Sequence, residues 1–143
     1  MTKPRNLFAV GFCAVLVAPP AVGQVNDAFP FVLECTFSAS VTANISTKFG
    51  IQVKNDSETI MDFKFLLASE SEARMVGDRG DAKVVPVWGI NRVTFVETTS
   101  TGTMQTTTMY GIGRGKKAAV HSRSSGNEGL EIPSQWYGFC EAQ

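Results

Sequence analysis

Histidine is almost missing from this sequence: the 143 residues hold one, together with three cysteines, two tryptophans and two tyrosines. One histidine and no second cysteine pair leave too few ligands for a zinc site. Charge of either sign is also missing in excess, with thirteen basic residues balancing thirteen acidic ones. That balance argues against a general nucleic-acid or membrane-surface binder, which carries a marked basic surplus. No Gly-x-Ser-x-Gly elbow is present. Asp62, Glu97 and Glu34 are scattered and form no paired-carboxylate signature, so no catalytic constellation stands out and the chain is not read as an enzyme. No cofactor motif occurs either. The longest apolar run, Leu7 to Ala18, is twelve residues long. A bilayer span needs about 20, so no stable membrane anchor is expected.

What the N-terminus does contain is the layout of a secretory signal. Lys3 and Arg5 precede the apolar run, Pro19 and Pro20 break any helix behind it, and Ala21 and Gly23 suit a cut before Gln24. A lipoprotein signal fits poorly, because Phe12 stands before Cys13 where a small residue belongs. The reading is therefore a signal peptide over 1–23 and a single domain over 24–143, exported to the periplasm or the outside. Without Lys3 and Arg5 the balance is eleven basic to thirteen acidic, a net charge near −2. About 120 residues suffice for one domain with a real core.

Of the three cysteines, Cys13 leaves with the signal. Cys35 and Cys140 remain, and an even pair in an oxidising compartment reads as a disulfide. Each lies in a strand-like segment near one end of the domain, so the bond would tie the first strand to the last.

Apolar residues alternate with period two, the mark of half-buried strands. Phe31, Leu33, Cys35 and Phe37 share one parity; Phe49, Ile51 and Val53 repeat the pattern up to the turn Asn55-Asp56-Ser57; Met61, Phe63, Phe65 and Leu67 follow. Further strands are expected near Ala82–Trp88, Ile90–Thr98, Thr103–Ile112 and Lys116–Arg123, with Gly-rich turns between them. Ala68–Val76 is the only stretch suited to a short helix, and Ser122–Gly129 reads as a flexible loop. The fold class is all-β: one antiparallel meander of seven or eight strands, a small barrel or a two-layer sandwich, with one disulfide. End-to-end linkage favours the barrel.

Candidate binding residues cluster in Gly113–Arg123, which holds Arg114, Lys116, Lys117, His121 and Arg123 and no acid. On a strand, Lys117, Ala119, His121 and Arg123 share a face. That face could grip a carboxylate or phosphate, arginine supplying a forked contact. Alternatively it is a solvated outer face whose lysines discourage edge pairing. His121 and Ser122, being adjacent, point apart and make no catalytic pair. Trp136 and Tyr137 would also face opposite ways, one packing and one exposed, and Gly138 suggests a bend or a close backbone approach. Arg79-Gly80-Asp81 matches an adhesion triplet but is equally a Gly/Asp turn, and Asp78 and Asp81 lack the further ligands of a calcium loop. Asn44-Ile45-Ser46 and Asn55-Asp56-Ser57 are glycosylation sequons, relevant only in a glycosylating pathway.

The segment Ala119-Val120-His121-Ser122-Arg123 and the ending Pro133-Ser134-Gln135-Trp136-Tyr137-Gly138-Phe139-Cys140 resemble a group of small exported bacterial proteins. The resemblance covers roughly the last fifth of the chain. It implies export and a disulfide with Cys35 as partner, and no particular activity. A looser similarity, of fold only, is to periplasmic lysozyme inhibitors, whose serine-glycine and aromatic run before the basic strand is lacking here. The leading functional expectation is a non-catalytic binding module for an anionic small molecule or a protein. The alternative is an inhibitor of a lysozyme-like or other cell-wall or host hydrolase.

Overall fold

A computed structural model describes residues 29–78, 80–127 and 130–143. The expected signal segment and its cleavage point lie outside the described residues, as does Arg79 of the Arg-Gly-Asp triplet. Nine strands follow one another with no helix among the described residues: β1 (Phe31–Ser46), β2 (Gly50–Asp56), β3 (Met61–Leu67), β4 (Ala73–Gly77), β5 (Gly80–Gly89), β6 (Arg92–Thr98), β7 (Met104–Tyr110), β8 (Lys117–Asn127) and β9 (Leu130–Ala142). Every pairing is antiparallel. The sheet runs β2-β1-β3-β4-β5-β6-β7-β8-β9, and β1 also pairs with β9. Eight strands thus close into a barrel, and β2 is an extra strand on the far half of β1.

Closure depends on the length and the bend of β1. Its first half pairs with β3, from Phe31↔Leu67 to Phe37↔Met61, and its second half with β2, from Ser40↔Asp56 to Ser46↔Gly50. Along its other edge it follows β9 throughout, with one bulge between Phe37 and Ala39. The extra residue bends the strand and switches which parity faces inward. Leu33, Cys35 and Phe37 are buried before the bulge and Ser40 after it. Gly138 faces the bulge, and a Cβ there would lie 2.0 Å from the Thr36 carbonyl oxygen and 2.6 Å from Phe37 Cα. Only glycine lets the two backbones meet so closely. Two rungs beyond, Cys35 and Cys140 are direct cross-strand partners joined by the disulfide. Their separation of 105 residues makes the loop-closure contribution up to ~4.7 kcal/mol in the chain-entropy model.

The core fills one half of the barrel. Phe65 and Phe95 stack with ring centroids 3.9 Å apart, and Leu33, Leu67, Val84, Val93, Met109 and Ala119 pack around them. The end at which β1 begins, called the lower end below, is plugged. Phe31, Trp88, Val93, Met109 and Ile112 leave a void of only about 10 Å³ there. Trp88 anchors the plug by donating its indole N–H to the Glu70 carbonyl at 2.6 Å.

Three expectations need correction. Ala68–Val76 forms no helix: Ala73–Gly77 is β4, held between β3 and β5, where Ala73 is wholly buried. Pairing on both sides outweighs the weak local helix preference of that stretch. Ser122–Gly129 is not a loop up to Asn127, because β8 continues that far and pairs with β9 from Lys117↔Cys140 to Asn127↔Leu130. Phe49, Ile51 and Val53 are not half-buried either; they are 71%, 71% and 64% exposed, since β2 has no layer packed over it.

Candidate functional site

Register places the interior side chains in rungs, and polarity rises from rung to rung towards the upper end. One rung runs Val93, Met109, Ala119, Gly138, Phe37, Met61 around the wall. The next reads Phe95, Thr107, His121, Trp136, Ser40, and the one above it Glu97, Gln105, Arg123, Ser134, Thr42. In four residues along each strand the interior changes from hydrocarbon to charge.

Above these rungs the barrel opens into a mouth of about 620 Å³. Met61, Phe63, Met75 and Trp136 give it an apolar side. Glu97, Gln105 and Arg123 give it a polar side, and Asp62, Asp78 and Asp81 edge it. Among the described lining residues, Arg123 is the single basic one beside four acidic ones. Asp81 is already engaged by the Arg74 guanidinium. Glu97 Oε2 and Ser134 Oγ are buried without a hydrogen-bond partner among the described residues, and an unsatisfied buried polar atom costs about 1–3 kcal/mol. The wall also has a seam. Only Lys64–Leu67 of β3 pairs with β4, so among the described residues Met61–Phe63 has β1 on one side and no strand on the other. A second hollow of about 470 Å³ follows this seam along Glu34, Asp62, Lys64 and Asp78.

His121 lies beneath the mouth. It is 4% exposed, its ring 5.2 Å from that of Phe63 and 6.1 Å from that of Phe37. Its Nδ1 and the Thr107 hydroxyl share a 2.8 Å hydrogen bond. Burial, aided by the positive charge of Arg123, pulls its pKa down to about 4. The imidazole is thus neutral at ordinary pH and is held as a polar floor. Ser122 follows on the outer face, so the two form no nucleophile–base pair. At the rim, Asp56 caps the β2–β3 connection: it accepts from the Glu58 and Thr59 amides and from the Thr59 hydroxyl. These bonds, the Glu58 amide foremost, hold its carboxyl below the usual range.

The basic segment is not brought together. Arg114 and Lys116 sit on the β7–β8 connection at the lower end, where the Lys116 ammonium lies 4.7 Å over the Phe139 ring. Lys117 is at the lower rim beside Gly111, and Arg123 is at the mouth, six residues or roughly 20 Å further on. The shared face of Lys117, Ala119, His121 and Arg123 is the inside of the barrel. The reading of it as a solvated outer face is corrected, and β8 has no free edge for lysines to guard because it pairs with both β7 and β9. Trp136 points inward over His121, whereas Tyr137 lies outside with its hydroxyl donating to Gln135 Oε1 at 2.7 Å. Gln105 drew no notice in the sequence, while Glu97 was read there only as one of three scattered carboxylates and Ser134 only as part of the closing segment. Their inward parity was available, but which strands adjoin them was not. No group of three or more potential metal ligands occurs among the described residues. In comparisons with known proteins, the chain matches no family model, no curated protein and no solved structure.

Proposed function

We propose that this protein is an exported, non-catalytic binding module that holds a small amine-bearing or zwitterionic ligand in the upper mouth of its barrel. The observation that carries the reading is the mouth itself: about 620 Å³ of open space, apolar on one side and lined on the other by Glu97 and Arg123. Ligand sites are typically concave, mostly apolar and equipped with a few fixed polar groups. The acidic surroundings favour a positive group over the anion suggested by the basic segment. The Glu97 carboxylate at the mouth would draw an ammonium, Trp136 would offer a ring face to it, and Arg123 would take a carboxylate or phosphate at the other end.

Native mass spectrometry of the protein recovered from its exported fraction tests this. A small extra mass should travel with the protein and be lost in Glu97→Gln and in Trp136→Ala while the disulfide stays intact. A bare protein that also fails to bind choline, betaine or basic amino acids on titration would overturn the reading. A bare protein that lowers lysozyme activity at micromolar concentration would carry the inhibitor alternative instead.

A further inference from the structure

The lower end is plugged inside, and its outer flank from β5 to β9 combines exposed apolar groups with cations. Ile90 stands at the tip of the β5–β6 hairpin and is 97% exposed. Beside it, register places Arg92, Tyr110, Ala118 and Phe139 in one row around the outside of the wall, both aromatic rings half-exposed. The next row up reads Thr94, Thr108, Val120, Tyr137 and carries no charge. The β7–β8 connection adjoins the hairpin, the Gly111 amide donating to the Asn91 carbonyl at 2.8 Å. That connection holds Arg114 and Lys116, Lys117 begins β8, and no acid occurs from Gly111 to Arg123. The balanced charge of the whole chain therefore hides a local excess. Glu70 and Glu72 lie on the β3–β4 connection across the barrel, and Glu141 is paired in register with Glu34 of β1.

We propose that this flank docks the protein reversibly on an anionic lipid surface, with Ile90 leading and a lipid phosphate held by the β7–β8 connection. Peripheral attachment combines apolar groups that enter the headgroup boundary with cations that meet its charge. Ile90, Tyr110 and Phe139 supply the first, and aromatic rings, tyrosine above all, suit that depth. Arg92, Lys116 and Lys117 supply the second. The Lys116 ammonium lies 4.7 Å over the Phe139 ring, so cation and ring would arrive together. Gly113 and Gly115 have φ of 97° and 80° on either side of Arg114, whose φ is negative. A backbone that alternates hand in this way can turn successive amides towards one anion. Among the described residues the amides of Gly113 and Gly115 donate no hydrogen bond. A fluid headgroup layer also admits a projecting hairpin tip without needing a matching pocket. The mouth opens at the opposite end and stays free, so the inference stands apart from the ligand reading.

Co-sedimentation of the oxidised protein with lipid vesicles tests this. Vesicles of phosphatidylcholine with phosphatidylglycerol should bind it, pure phosphatidylcholine should bind it far less, and added salt should release it. Lys116→Gln combined with Lys117→Gln should weaken binding roughly 25-fold, about fivefold for each cation removed. Ile90→Ser, at a position with almost no packing to lose, should weaken it roughly tenfold. Lys48→Gln combined with Lys54→Gln removes the same charge near the far end of the barrel and should change binding by about twofold at most. No binding at about 1 mM anionic lipid, an equal loss from the Lys48 and Lys54 pair, or indifference to Ile90→Ser would each overturn the proposal. So would calorimetric binding of inorganic phosphate without binding of vesicles, which would make the connection a site for a free anion.

Discussion

The two ends of this barrel are built from the same strands and behave oppositely. At the lower end the inward positions are Leu33, Leu67, Val93 and Met109, and they leave about 10 Å³ unfilled. Along the same strands, Glu97, Gln105, Arg123 and Ser134 face inward at the upper end, around a mouth of about 620 Å³. The lower end is a core in the ordinary sense, where close packing and burial supply stability. The upper end gives up that burial and keeps polar groups in place. Close packing and open polar space are thus divided along the barrel axis, with the bulge and the disulfide at the border.

The division can be broken most severely from below. Phe95→Ala removes one ring of the stacked pair at the centre of the core and should cost about 3–5 kcal/mol in chemical denaturation. A loss under about 1 kcal/mol would mean that the core lies elsewhere. At the border, Gly138→Ala forces a methyl onto the Thr36 carbonyl and should cost about 3 kcal/mol, towards the upper range for overpacking. Retention of full stability would show that the bulge can relax.

The next effect is a pH dependence. His121 is depressed to about 4 in the fold, against about 6.5 unfolded. The unfolded chain therefore takes up a proton first as pH falls, and stability should decline by about 2–3 kcal/mol between pH 6.5 and 4. Well above pH 6.5 the group is neutral in both states and contributes no slope. His121→Gln should flatten that window, and an unchanged slope would place the titration on other groups. Smallest of all, Gln105→Ala at the open end should shift stability by no more than about 0.5 kcal/mol. A large loss there would mean that the mouth also belongs to the structural core.

Much of the fold was legible because the period-two alternation is strong where both faces have fixed environments. Phe31 to Phe37 and Met61 to Leu67 announce their inward sides directly, and Cys35 and Cys140 announce the join between first and last strands. β4 was not legible. Its five residues carry helix-compatible Ala73, Arg74 and Met75, and only the strands on either side make it extended. The exposure of Phe49, Ile51 and Val53 was hidden for a related reason: alternation shows that a strand has two kinds of face, not that another layer covers the apolar one. The site was half legible. Arg123, His121 and Trp136 attracted notice by their chemistry, whereas Glu97, Gln105 and Ser134 gained meaning only as neighbours in one rung.

By itself the sequence determined the all-β class, the disulfide and the inward parity of most strands, because side-chain alternation and cysteine pairing are properties of local spacing. Tertiary structure alone decided that the sheet closes, that the basic segment is spread along the inside of the wall, and that acidic residues surround Arg123. Those features depend on register between strands far apart in the chain. A one-residue slip would turn every side chain to the other face without altering the local pattern.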